Sequence, residues 1–213
     1  MKSKSQKPVI IFDFDGTIGD SFSVISKIFY DLTDCRQEFS QAEINHFKTM
    51  KPSEVGRIVG IKWWQVPRLL ARGRRLMSQR INLVPVFTGM PEVIKRLHKN
   101  GYQLFIISTN SAHNVDLFLM EHKLKKYFVS VKGGSGIGGK RRAIIKLLNR
   151  HNWAPLDCVY IGDEPRDMLA AQSAGLKAIA VAWGFSNQSA LAKTRPSGIA
   201  RHPNDIIELV QSG

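Results

Sequence analysis

An apolar run, Val9-Ile10-Ile11-Phe12, carries the chain straight into Asp13-Phe14-Asp15-Gly16. Alternate side chains of an extended segment share a face, so Asp13 and Asp15 point the same way. Neighbouring carboxylates repel, and they persist together when a cation sits between them or one keeps its proton. Gly16 then lets the backbone turn sharply. Alone, an Asp-x-Asp-Gly fragment is equally a turn or a piece of a calcium loop. Two more segments of the same construction argue for chemistry. Leu104–Ile107 runs into Ser108-Thr109-Asn110, and Cys158–Ile161 runs into Gly162-Asp163-Glu164-Pro165-Arg166-Asp167. Between them Lys140 opens a helical stretch after a glycine-rich loop.

The elements that must hold these groups are readable from the apolar pattern. Short runs rich in β-branched and aromatic residues recur at Val9–Phe12, Leu104–Ile107, Tyr127–Val131, Cys158–Ile161 and Ala178–Ala182, which predicts buried strands. Helical patterns alternate with them. Pro91 opens one that Gly101 closes, over Val93, Ile94 and Leu97; Pro165 opens another that Gly175 closes, over Met168, Leu169 and Ala171. Residues 141–150 turn Ile144, Ile145, Leu147 and Leu148 inward. Alternating strands and helices with near-continuous apolar strands predict a parallel sheet covered on both faces. Its strand ends then share one rim, where open α/β proteins bind ligands.

One connection is too long. Residues 14–102 separate the first two strands, whereas a simple crossover needs about a dozen. This stretch reads helical: Phe22, Ile25, Phe29 and Leu32 at helix spacing, a capping box at Ser40 and Glu43, then Pro52-Ser53-Glu54, and a longer helix from about Trp63 to Ile81. A helical insertion from Asp20 to about Pro85 is expected, leaving residues 1–19 and 86–213 as the core. Trp63 and Trp64 read as packing residues of that insertion.

The formal net charge of +14 over 213 residues is concentrated in two stretches. Residues 57–82 hold seven Lys or Arg and no Asp or Glu; residues 122–150 hold nine and none. Either they face a polyanion or they frame a site for an anionic ligand. A composition 43% hydrophobic and 23% charged excludes a disordered basic tail. No apolar run approaches the ~18 residues of a membrane span. The two cysteines, Cys35 and Cys158, make no disulfide framework, and the start Met1–Pro8 does not read as a secretory signal, so a cytoplasmic protein is expected.

Asp13-Phe-Asp-Gly-Thr-Ile-Gly-Asp-Ser, Ser108, Lys140 and Gly162-Asp163-Glu-Pro-Arg-Asp167, in that order, resemble the four motifs of the haloacid dehalogenase (HAD) superfamily, in its phosphoglycolate-phosphatase-like branch with a helical cap. The resemblance spans residues 9 to about 185. It implies an α/β fold, a Rossmann-like three-layer parallel sheet core with an inserted all-helical cap. It implies Asp13 as nucleophile, Asp15 as general acid/base and Lys140 as the cation that neutralises the phosphoryl group. Ser108, with Thr109 as the fallback, would hold that group, beside Asn110 and Gly16. Magnesium (Mg2+) would be bound by Asp13, the backbone carbonyl of Asp15 and Asp163, with Asp167 as a further or supporting ligand. The implied activity is hydrolysis of a small anionic phosphomonoester through an aspartyl-phosphate. True haloacid dehalogenases lack the second Asp, so Asp15 favours phosphate over halide chemistry.

The physics agrees with this assignment. An ionised Asp attacks phosphorus and splits one hard hydrolysis into two steps. Because anion meets anion, a metal and a lysine must offset the repulsion. Carboxylate oxygens suit magnesium. Three other readings stand beside this one: a phosphotransferase or mutase on the same intermediate, a basic nucleic-acid-binding protein, and a nucleic-acid-end phosphatase. Gly134 to Arg141 nearly spells a phosphate-binding P-loop, but Arg141 replaces the metal-binding hydroxyl, and that reading leaves Asp13-x-Asp unexplained. Proline often follows the motif lysine in phosphoglycolate-phosphatase-like relatives; Arg141 departs from that pattern.

Overall fold

In the computed structural model, residues 9–33, 43, 50, 52–136 and 139–212 are described. Six parallel strands, β1 (Val9–Phe12), β2 (Gln103–Ile107), β3 (Phe128–Lys132), β4 (Cys158–Gly162), β5 (Lys177–Val181) and β6 (Gly198–Ala200), form one sheet in the order β3-β2-β1-β4-β5-β6. This is the doubly wound order, and the chain reverses its direction of travel across the sheet beside β1.

The near-continuous apolar strands follow from having cover on both faces. Ile10, Phe12, Leu104, Ile106, Val159, Ile161, Ile179 and Val181 point into one buried layer. Their neighbours Val9, Ile11, Phe105, Ile107, Cys158, Tyr160, Ala178 and Ala180 point into the other. The first layer is closed by the helices Met90–Lys99, Ala112–Glu121 and Asp205–Gln211, the second by Lys140–His151 and Pro165–Ser173. Each buried Leu, Ile or Phe contributes roughly 1.5–3 kcal/mol, which fixes the sheet that carries the rim.

Between β1 and β2 the described chain is helical: Phe22–Thr33, Pro52–Ile58 and Val66–Arg80, with single 3-10 turns at Trp63–Gln65 and Ile81–Leu83. Val24, Ile28, Met77, Ile81 and Val84 from this segment join the first buried layer, so the helical segment packs on the sheet body. No described helix is long and apolar enough to cross a membrane.

The structure departs from the sequence reading at several points. A sixth strand, Gly198–Ala200, extends the sheet, and the helix Ala112–Glu121 fills the β2–β3 connection. In the helix Phe22–Thr33 the buried residues are Val24 and Ile28, while Ile25 is exposed, because the face turned to the helix Val66–Arg80 lies one position off the aromatic stripe. Trp63 and Trp64 are 81% and 57% exposed, edge to face with each other, and are not packing residues. Leu169 is exposed beside its buried neighbours Met168 and Ala171. The capping box rests on Ser40, outside the described residues.

Cys158 lies fully buried in β4, and burial, with Asp157 nearby, pushes its thiol up to about 12. At pH 8 it therefore holds almost no thiolate, the alkylating form. Peptide mapping after iodoacetamide treatment should find Cys158 unmodified in the folded protein and modified in urea.

Candidate active site

The register places the motif residues on one rim. Phe12 pairs with Ile106 on one side and Ile161 on the other, and the Asp13 amide extends the ladder to the Ile161 carbonyl at 2.8 Å. Ser108 and Asp163 thus leave β2 and β4 level with each other and one residue beyond Asp13 at the end of β1. A tight turn follows Asp13: the Phe14 carbonyl accepts from the amides of Thr17, Ile18 and Gly19 at 3.2, 2.9 and 3.0 Å. The Phe14 ring anchors this turn, buried edge-on against Phe118 at 4.8 Å.

Asp13, Asp163 and Asp167 form a buried group in which one carboxylate oxygen from each lies within 4.8 Å of the others. Lys140, the first residue of its helix and itself buried, donates from Nζ to Asp13 Oδ2 and to Asp167 Oδ1, each at 2.5 Å. One ammonium therefore bonds two of the three carboxylates. Burial drives the Asp13 carboxyl well above the ordinary range, Lys140 opposes this, and Asp167 and Asp163 add to it. Asp163 is raised in the same direction, by burial first and then by Glu164 and Asp167. Burial works against the Lys140 charge, but Asp13 and Asp167 outweigh it and hold the ammonium well above its usual value.

Glycines permit this crowding. At Gly16, φ is +75° and a Cβ would fall 2.2 Å from Asp163 Oδ2; at Gly184 it would fall 2.3 Å from Asp163 Cβ. Asp163 is then gripped by the Thr17 hydroxyl at 3.2 Å and the Phe185 amide at 2.7 Å. Trp183 braces the same turn, its indole N–H donating to the Thr17 carbonyl at 3.2 Å.

The Asp15 carboxylate lies apart from the acid group and accepts from Asn110 Nδ2, at 3.3 Å to each oxygen. Burial raises this carboxyl, with hydrogen-bond donors opposing. The buried Ser108 hydroxyl accepts the Asn110 amide at 3.0 Å, and the Ser108 carbonyl accepts both the amide and the hydroxyl of Ser135 at 3.2 and 2.9 Å. Those last bonds tie the loop before Lys140 to the β2 terminus. Thr109 is partly exposed beside Ser108.

All the residues singled out in the sequence therefore stand on this rim. Thr17 and the Phe185 amide, which hold Asp163, received no role there. Thr17 sits inside the first motif, whereas a backbone amide leaves no signal in sequence.

The donor set fits a hard divalent cation. The carboxylates are all oxygen donors, and Asp167 Oδ2 is buried with no hydrogen-bond partner, an acceptor left for a cation or for water.

Comparison with known proteins accords with this geometry. The family model for haloacid dehalogenase-like hydrolases matches residues 10–181. The phosphoglycolate phosphatase of Synechococcus elongatus is 34% identical over 209 residues, 94% of this chain and 96% of that protein. Among solved structures, a haloacid dehalogenase-like family hydrolase from Streptococcus pneumoniae superposes with a TM-score of 0.82 at 24% identity, covering 96% of this chain and 99% of that one. A predicted phosphatase from Clostridium acetobutylicum gives 0.83 at 20% identity, covering 98% and 100%. The chain belongs to the haloacid dehalogenase-like hydrolase family. It is an enzyme of the phosphatase kind.

Removing the lone ammonium from a buried acid group leaves uncompensated charge. In chelator-treated protein, Lys140→Met should lower unfolding stability by about 3–5 kcal/mol in urea titrations near neutral pH. Millimolar magnesium should recover a large share of that loss by replacing the missing positive charge.

Proposed function

We propose that this chain is a magnesium-dependent phosphatase that hydrolyses a small phosphomonoester through an aspartyl-phosphate on Asp13. The observation that carries this reading is the pairing of a buried Asp13 with Lys140 inside a group of three buried carboxylates. Held there by Asp13, the Asp15 carbonyl and Asp163, with Asp167 as a further or supporting ligand, magnesium would supply positive charge against the phosphoryl oxygens.

The chain's own groups then divide the work. An Asp13 carboxylate oxygen forms a bond to phosphorus as the bond to the leaving oxygen breaks. Asp15 gives its proton to that leaving oxygen, a role favoured by a carboxyl whose affinity for protons is raised by burial. Ser108 and Asn110 stand where the phosphoryl group would be held, with Thr109 and Gly16 flanking. Lys140 offsets the charge of the transferring group. In the second half Asp15 takes a proton from water, the water oxygen bonds phosphorus, and the bond to Asp13 breaks. Inorganic phosphate leaves and Asp13 is restored.

The helical segment 20–85 would act as a cap over the rim, and residues 1–19 with 86–213 as the catalytic core. Phosphoglycolate is the first substrate to test, on the strength of the Synechococcus relative, although Arg141 departs from the pattern of that branch. The basic residues of the insertion suit an anionic substrate of this class.

Asp13→Asn should lower turnover of p-nitrophenyl phosphate by at least about a thousandfold, and chelation should abolish wild-type turnover until magnesium is restored. Metal-dependent turnover surviving in Asp13→Asn would overturn the mechanism. A panel of phosphorylated metabolites, phosphoglycolate included, identifies the substrate.

A further inference from the structure

A hydrogen-bonded thread runs from the insertion to Asp15. Asn110 Nδ2 faces the Asp15 carboxylate, so its Oδ1 must face away, where it accepts Asn114 Nδ2 at 2.9 Å and the Ser111 amide at 2.9 Å. That fixes the second amide too. Asn114 turns its Oδ1 toward the helix Val66–Arg80 and meets the Ser78 hydroxyl at 2.8 Å. The Arg74 carbonyl, at 3.1 Å, is the alternative acceptor for the same proton. Asn114 is buried, at 1% exposure, although Ser78 itself belongs to the exposed face of its helix.

The thread has one direction. At one end Asp15 accepts through the oxygen that does not carry the proton, and a hydroxyl at the other end donates. If Ser78 stops donating, Asn114 Oδ1 is left buried without a partner. Turning the Asn114 amide over would set its oxygen against Asn110 Oδ1, and turning Asn110 as well would set an oxygen against Asp15. The first places acceptor against acceptor; the second does so while Asp15 is ionised, and when Asp15 is protonated the Asn110 oxygen would bind the proton meant for the leaving oxygen.

The donor end sits on the inserted segment. Ser78 follows Met77, which is buried against the sheet body, and precedes Arg80, which pairs with Asp31 at 2.6 Å. The insertion reaches the Asp15 carboxylate through three consecutive polar side chains.

We propose that Ser78 and Asn114 are positioning residues for Asp15: through Asn110 they aim its carboxyl at the leaving oxygen, and they make that aim depend on the seating of the helix Val66–Arg80. The proposal rests on the reading of Asp15 as the leaving-group acid. It concerns protonation of the leaving group, so its signature is selective. An alkyl phosphate needs that proton, whereas dinitrophenyl phosphate expels a stable anion and does not.

The test compares kcat/KM for an alkyl phosphate and dinitrophenyl phosphate in the wild type, Ser78→Ala, Ser78→Thr, Asn114→Asp and Asp15→Asn, with magnesium present. Ser78→Ala should lose about five- to tenfold on the alkyl phosphate and less than about twofold on dinitrophenyl phosphate, a fraction of the range that acid catalysis spans. Ser78→Thr, which keeps the hydroxyl, should restore the alkyl phosphate rate. Asn114→Asp, which keeps the shape but cannot donate to Asn110, should show the same selective loss. Equal losses on both substrates, no loss in Ser78→Ala, or no recovery in Ser78→Thr would overturn the proposal. If Asp15→Asn shows the selective loss and Ser78→Ala does not, the proposal alone fails. If Asp15→Asn shows none, the reading of Asp15 fails and takes the proposal with it.

Discussion

Three buried carboxylates, two of them bound to one buried ammonium, form the constraint from which the rest of this structure follows. Such a group is costly to assemble, because burial penalises every charge in it and the carboxylates also oppose one another. The sheet makes the assembly possible. Parallel strands end at a common level, so β1 and β4 deliver Asp13 and Asp163 side by side, while the helix that begins at Lys140 brings in the ammonium. Close approach then demands missing side chains, supplied by Gly16 and Gly184 around Asp163. The group is a buried cluster of oxygen donors, and its fit to a hard cation is a consequence of that chemistry.

The basic surplus separates into different uses. Lys140 is buried among acids, and Lys125 and Arg80 pair with Asp116 and Asp31. Arg68, Arg72, Arg74 and Arg75 remain exposed along the inserted helix, downstream of the exposed Trp63 and Trp64. The same helix turns Met77 into the body and reaches Asn114 through Ser78. It thus carries charge outward while making both apolar and polar contact with the core.

What the sequence disclosed was governed by periodicity and by punctuation. β1, β2, β4 and β5 were legible because burial on both faces makes them continuous apolar runs, and their polar endings marked the rim. Lys140 was legible through the glycines before it. β6 was not, since Gly-Ile-Ala offers too short a run, and the helix Ala112–Glu121 was hidden by its polar opening residues. The Trp63 and Trp64 side chains look apolar in sequence, yet only packing partners decide burial, and among the described residues these rings meet each other and Lys62 and stay exposed. The grip of Thr17 and the Phe185 amide on Asp163, and the thread from Ser78 to Asp15, depend on residues far apart in the chain meeting across the fold. Local pattern carries no record of such meetings.

Crystals grown with magnesium and beryllium trifluoride test the central claim, that the buried acid group is a cation site built around a phosphoryl-accepting Asp13. The account predicts the trifluoride bonded to an Asp13 carboxylate oxygen, with Ser108 and Lys140 on its fluorines and the cation held by Asp13 and Asp163. A trifluoride bonded to Asp15, or a cation absent from the acid group while the fluoride complex is bound, would contradict it.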